Sequence, residues 1–188
     1  QGFAWGQHGF HTKLAPYDAN IRSPMIISMP SRLPSGTVVE HPVSGVDLIP
    51  TFFRFAEIDL PWKMHGHDLT PLLQNPNAKW SHPSLTSFTA RSYGADTEQI
   101  PPDVTKTNIN GIPWYFMLRQ GKFKYIRYVV EGETEELYDL EKDPDELTNL
   151  AAKPTYQKQL RAMRQATLEE LKRTDAGIVS RLPAVAGN

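Results

Sequence analysis

The first 24 residues show neither a helical nor a strand period. Glycines and polar side chains dominate, and Ala15-Pro16-Tyr17-Asp18 marks a turn. Pro24–Met29 follows as a short apolar run with turn signals on both sides. That pattern predicts a buried strand. Val38 and Val39 predict a brief edge strand. From Asp47 the period becomes helical, with Ile49, Phe52, Phe53 and Ala56 on one face. Asp47 reads as the N-cap, its carboxylate accepting an N–H of the first turn, and Pro50 falls at the third helical position, where no N–H is needed. The helix Asp47–Ala56 is expected to pack that face on a sheet. Leu69, Leu72 and Leu73 are the next core candidates. Asn75-Pro76-Asn77 reads as a linker.

The rhythm changes after Trp80. Ser84–Thr89, Trp114–Arg119, Lys122–Val130 and Glu135–Leu140 predict strands, with Gln120-Gly121 as a hairpin turn. Arg91–Asn110 is polar and aperiodic, a long surface loop of the kind that carries function. The spacing of Tyr156, Leu160, Met163, Thr167 and Leu171 predicts a final amphipathic helix, capped by Thr155 and ended by Gly177. Ile178–Asn188 reads as a loose tail. The fold class is therefore α/β for residues 1–76, and a small antiparallel sheet with one packed C-terminal helix for residues 77–188.

Composition narrows the function classes. The 188 residues are 39% hydrophobic and 22% charged, which suits a packed core. Sixteen prolines argue against a helical bundle. A net charge of -1 gives no field to recruit nucleic acid or a membrane surface. No apolar run is long enough to span a bilayer. The absence of cysteine removes disulfides, thiolate metal sites and a cysteine nucleophile from this chain.

Four motifs occur in order: Gln1-Gly2 through Gly6-Gln7-His8-Gly9, Lys13, Tyr17-Asp18 and Ile21-Arg22-Ser23-Pro24; Val46-Asp47-Leu48-Ile49-Pro50-Thr51; His65-Gly66-His67-Asp68-Leu69-Thr70-Pro71-Leu72-Leu73; and Glu136-Leu137-Tyr138-Asp139-Leu140-Glu141-Lys142-Asp143-Pro144. Together they resemble the sulfatases of the alkaline-phosphatase-like superfamily over nearly the whole chain. The resemblance implies the C-terminal part of a sulfatase, beginning inside a metal-binding motif whose Ser-Asp would precede Gln1. It implies a sulfate-ester substrate, such as a sulfated carbohydrate. It also implies calcium and an upstream formylglycine nucleophile made from Cys/Ser-x-Pro-x-Arg. The remainder of the catalytic domain becomes the expected partner. The expected location is periplasmic, extracellular or lysosomal. Without the nucleophile and most metal ligands, the chain alone is expected to be inactive. Two other readings stand beside this one: a phosphonate or phosphodiester hydrolase of the same superfamily, and a catalytically silent binding module.

The resemblance also assigns residues. Gln1 matches the amide metal ligand, an oxygen donor suited to a hard cation. Lys13 matches the lysine that touches the sulfate. His8 is read two ways: as a general acid toward the leaving oxygen, or as a pin that holds the glycine-rich loop. His11 and Arg91 are expected on the substrate side. Asp18 and Arg22 are expected to be structural, paired with one another or holding the loop to the strand. The acidic run Glu131–Glu146 lacks EF-hand spacing and reads as a solvated hairpin edge. Ser28-Met29-Pro30-Ser31-Arg32 satisfies the nucleophile pattern by chance. It follows the lysine loop instead of preceding it, and lacks the family's Leu-x-Thr-Gly-Arg extension.

Overall fold

The computed structural model describes residues 2–130 and 134–185. Its helices are α1 (Asp18–Ile21), α2 (Leu48–Ala56), α3 (Thr70–Gln74) and α4 (Gln157–Arg173). Its strands are β1 (Ser84–Phe88), β2 (Asn108–Ile109), β3 (Ile112–Pro113), β4 (Tyr115–Gln120), β5 (Phe123–Tyr128) and β6 (Glu136–Asp139). The chain divides into two compact units, Gln1–Ser23 with Leu85–Asn188, and Pro24–Ser84. The composition boundary at 76/77 concerns the longer domain and stays an expectation. No helix among the described residues is long and apolar enough to cross a membrane.

The first unit is built on a four-stranded sheet in the order β1-β4-β5-β6. Strands β4 and β5 pair antiparallel from Tyr115↔Tyr128 to Gln120↔Phe123, leaving Gly121-Lys122 as the loop. The turn is thus one residue later than expected. The reason is that Gly121, at φ 55°, takes the first central position, where positive φ matches the twist of the strands. Alternation sends side chains to both faces, and both faces are covered. Leu118, Tyr125 and Leu137 meet Leu160 and Met163 of α4. Trp114, Phe116 and Val129 meet Leu171 and Ile178. On the other face Tyr115, Met117, Ile126 and Tyr138 meet Ala15 and Tyr17 of the opening segment. Each such apolar side chain contributes about 1.5–3 kcal/mol by leaving water. The opening segment is therefore a layer of this unit, opposite the C-terminal helix.

The predicted inner stripe of α4 is confirmed at Leu160, Met163, Thr167 and Leu171, all buried. Its ends differ from the expectation. Pro154–Tyr156 forms a preceding 3₁₀ turn, and Thr155 makes no capping bond. Arg173 is the last helical residue, and Gly177 opens a further 3₁₀ turn through Arg181.

In the second unit, two of the motifs are stapled to each other. Asp47 is buried, and its carboxylate accepts the N–H groups of Ser44 and His67, each at 2.7 Å. It is not a forward-reaching N-cap; its second bond crosses 20 residues. The Thr51 hydroxyl accepts the Leu69 N–H at 2.9 Å and donates to the Asp47 carbonyl at 2.6 Å. Gly66 permits this approach, since a Cβ there would lie 2.0 Å from the Val46 carbonyl oxygen. Leu69 and Leu72 are buried as expected, while His67 stacks on His82 at 3.9 Å between ring centroids.

Two expectations fail here. Pro24–Met29 is not a buried strand; it pairs with no strand of the described residues, and Ile26 is 91% exposed. The face of α2 is not covered either. Ile49 and Phe52 are about half exposed, and the helix buries Pro50 and Thr51 instead. Apolar content gives a segment the capacity to be buried, but burial requires a neighbour, and none of the described residues provides one.

Candidate active-site loop

The opening segment bends repeatedly through the left-handed region. Trp5, His8 and Leu14 have φ of 50°, 52° and 89°, and Gly6 and Gly9 have 98° and 78°. Left-handed backbone in a bulky non-glycine residue costs about 1–3 kcal/mol and persists only where surrounding contacts enforce it. Those contacts are visible. Gly2 crosses α1 so closely that a Cβ would stand 2.0 Å from the Ala19 carbonyl oxygen, and its N–H donates to the Asn20 carbonyl at 3.0 Å. The Thr12 carbonyl accepts from the Ala4 N–H at 3.1 Å and from Asn20 Nδ2 at 2.6 Å. These bonds place Lys13 beside the start of the described chain. Lys13 is half buried, and its ammonium lies 5.2 Å from the Phe3 ring centroid and makes no ion pair among the described residues.

The segment after Lys13 is fixed to the sheet. Tyr115 donates its hydroxyl to the Leu14 carbonyl at 2.8 Å. Lys124 on β5 is fully buried and donates to Asp18 Oδ1 at 2.5 Å, Glu146 Oε1 at 2.6 Å and the Pro16 carbonyl at 3.3 Å. Glu146 Oε2 accepts the Asp18 N–H at 2.6 Å. Asp18 is structural, as expected, but its partners are Lys124 and Arg119, not Arg22. Burial pushes the Glu146 carboxyl above its ordinary range, and Lys124 pulls in the opposite direction.

His8 is held by two contacts. Its ring stacks on Tyr17 at 3.7 Å, and Nε2–H donates to the Asp145 carbonyl at 3.0 Å. Both contacts suit a residue that holds the loop. A cavity of about 230 Å³ opens beside it, lined by Gln7, His8, Tyr17, Asp18 and Arg22 with the 144–146 turn. Lys13 does not line it. His11 and Arg91 are exposed. The described contacts bring neither of them to Lys13. Gln1, the expected metal ligand, lies outside the described residues. Ser28 is exposed in the second unit. That unit holds the larger cavity, about 440 Å³ around Arg32, Arg54 and Phe55, which contains none of the expected site residues.

The acidic run is a solvated edge only in part: Glu141 and Asp145 are exposed, but others turn inward. Glu135 is buried, accepts the Tyr125 hydroxyl at 2.7 Å and pairs with Arg164. Glu136 accepts the hydroxyls of Tyr17, Tyr128 and Tyr138 at 3.2, 2.9 and 2.7 Å. Asp139 and Glu146 are buried against Lys122 and Lys124. Charges avoid the interior only when they lack partners, and here cations and phenols supply them. Glu131 and Glu133 lie outside the described residues.

The phenols make a testable consequence. Burial raises the Tyr17, Tyr115, Tyr125, Tyr128 and Tyr138 hydroxyls well above 10, and nearby carboxylates add to this at all but Tyr115. An acid whose pKa is raised by folding stabilises the fold fully below its unfolded value, and loses that contribution as pH rises beyond it. Stability is therefore expected to fall steeply above pH ~10. Thermal unfolding midpoints from pH 8 to 11 check this, and a midpoint that stays level to pH 11 contradicts it.

A mixed α/β architecture with a polar, tightly bridged loop is the kind of scaffold on which hydrolases carry anion-binding groups. The family model for the C-terminal region of N-sulphoglucosamine sulphohydrolase matches residues 6–97 and 106–174, and the chain belongs to this sulfatase family. The N-acetylglucosamine-6-O-sulfatase of Bacteroides thetaiotaomicron is 28% identical over 181 residues, covering 93% of this chain and 30% of that protein. Human arylsulfatase K is 31% identical over 156 residues, covering 78% of this chain and 25% of that protein. A structure solved in complex with its substrate, D-glucosamine-2-N,6-O-disulfate, superposes with a TM-score of 0.72 at 26% identity, covering 96% of this chain and 34% of that chain. The chain thus spans about a third of the length of the relatives it matches. The expected fold class, the C-terminal part of a sulfatase α/β domain with a small antiparallel sheet and one helix, holds.

Proposed function

We propose that this chain is the C-terminal portion of a sulfatase that hydrolyses sulfate esters of a carbohydrate. The observation that carries the reading is Lys13, an ammonium with no carboxylate partner among the described residues, on a loop whose neighbours are bonded on both sides. A cation so placed has its charge available for an external anion. Sulfate-ester hydrolysis moves negative charge onto the sulfuryl and leaving oxygens, and a fixed ammonium stabilises that charge without reorganising. His8 holds the loop in shape. His11 and Arg91, both exposed, are the candidates for contacts to the sugar. Sulfated glucosamine derivatives among the relatives' ligands and substrates support this substrate class.

Calcium and formylglycine would supply charge neutralisation and the nucleophile in the full-length protein. The described residues bring together no group of three His, Cys, Asp or Glu that fits a metal ion. Of this chain's residues, Gln1 is the one that would hold the metal, through its side-chain oxygen. The preceding part of the catalytic domain is the proposed partner, covering the apolar face of α2 at Ile49 and Phe52. Export to the periplasm, the cell exterior or the lysosome is part of the same proposal.

Assays of the full-length protein on the sulfate, phosphate and phosphonate esters of 4-nitrophenol, and on N-acetylglucosamine 6-sulfate, test the reading. Sulfate esters are expected to be preferred, and the 188-residue chain alone is expected to be inert with or without calcium. A preference for the phosphonate would favour the related hydrolase class. Loss of the upstream nucleophile motif together with no turnover would favour the silent module.

A further inference from the structure

We infer that Tyr115 is a positioning residue for Lys13, acting through one hydrogen bond to the Leu14 carbonyl; the inference rests on the proposed role of Lys13. Leu14 is a bulky residue at φ 89°, where Cβ clashes with the backbone. Among the described residues no backbone–backbone bond of a turn or loop involves its N–H or carbonyl. The tie to its carbonyl comes instead from the Tyr115 hydroxyl, 101 residues away.

The geometry gives this bond leverage. Ala15 is fully buried, the Pro16 carbonyl and the Asp18 carboxylate are held by Lys124, and the Asp18 N–H is held by Glu146. Residues 15–18 are thus fixed to the sheet. Rotation about the Leu14 N–Cα bond then decides the direction in which the chain leaves toward Lys13. A return to ordinary negative φ is a turn of roughly 150°, and the ammonium would turn with it. The strain favours that return. The Leu14 carbonyl lies on the fixed side of that N–Cα bond, and the Tyr115 hydroxyl holds the Leu14–Ala15 peptide plane from which the turn is measured; without the hydrogen bond the plane is free to tilt and to carry Lys13 with it, and the buried hydroxyl is left unpaired. On the other side of Lys13, the Thr12 carbonyl is held by Ala4 and Asn20. Lys13 is suspended between two anchored carbonyls, and Tyr115 provides one of the anchors.

Tyr115→Phe removes this oxygen and keeps the ring, which packs against Phe88 and Tyr128. In the full-length protein, on 4-nitrophenyl sulfate and N-acetylglucosamine 6-sulfate, the variant is expected to lose about 10- to 100-fold in kcat/KM, mostly in kcat. In a Lys13→Ala background the same substitution is expected to change kcat/KM less than about twofold, since there is no ammonium left to aim. Equal losses in both backgrounds, the signature of general damage to the fold, overturn the inference. So does a single variant within about threefold of wild type. If Lys13→Ala is itself neutral, the proposed role of Lys13 has failed. If Lys13→Ala is crippled and Tyr115→Phe is not, only the positioning has failed.

Discussion

Lys13→Ala in the full-length protein is expected to lower kcat/KM for a sulfate ester about 100- to 1,000-fold, the range for removing one fixed charge-stabilising group. An ammonium about 4 Å from an anion is worth roughly 4 kcal/mol at an effective dielectric of 20. Part of that is recovered by water entering the vacated space, which places the expectation at the middle of the range. Little of the loss should come from the fold. Lys13 is half buried, and its ammonium faces the Phe3 ring at 5.2 Å, a cation–π interaction worth about 0.5–1 kcal/mol at an exposed site. The melting temperature should therefore stay near wild type while turnover collapses. Lys13→Arg keeps the charge but spreads it over a planar fork, so partial activity is expected. Wild-type kcat/KM in the alanine variant would remove Lys13 from the chemistry.

The antiparallel sheet and the last helix were legible because their information is local. Alternation from Tyr115 to Tyr128 and the spacing of Leu160, Met163 and Leu171 each describe a surface whose partner lies in the same unit. Pro24–Met29 and the outer face of α2 carry equally clear apolar patterns, yet remain exposed. Period reports which face can be buried, not whether anything covers it. Among the described residues no sheet lies over these faces.

The site was legible to a different degree. Lys13 and His8 stood out through their place in an ordered set of motifs. Lys124, Tyr115 and Glu146 did not, because their partners are distant in sequence. Lys124 reaches Asp18 across 106 positions, and Tyr115 reaches Leu14 across 101. One signal was available. Lys124 shares the parity of Ile126 and Tyr128 on an alternating strand, so a charge there sits on a covered face and needs a counter-charge. Applied to the acidic run, the same logic would have turned Glu136, Asp139 and Glu146 inward.

The strongest test of that logic is Lys124→Met. The substitution preserves length and apolar volume and removes the charge that two carboxylates share. Asp18 keeps Arg119 at 3.7 Å, but among the described residues Glu146 keeps only the Asp18 N–H. Breaking a buried pair from one side costs about 3–5 kcal/mol, because it strands a charge in the interior. The loss should depend on pH with a definite sign. The Glu146 carboxyl is already raised above its ordinary 4.5, with burial as the leading cause and Lys124 opposing it. A carboxyl raised by folding contributes most below its unfolded value, and that contribution disappears as pH rises through the folded one. Removing Lys124 raises it further, so the deficit is largest near neutrality and narrows as the solution approaches pH 4.5 and Glu146 takes up a proton. Lys124→Met with Glu146→Leu should recover most of the stability, since an apolar replacement for both partners leaves no stranded charge. Urea unfolding of the full-length protein at pH 7.5 and pH 5 measures both quantities. A deficit under about 1 kcal/mol, the scale of a solvent-exposed pair, or one of equal size at the two pH values, would show that the buried pairing does not hold the Lys13 loop to the sheet.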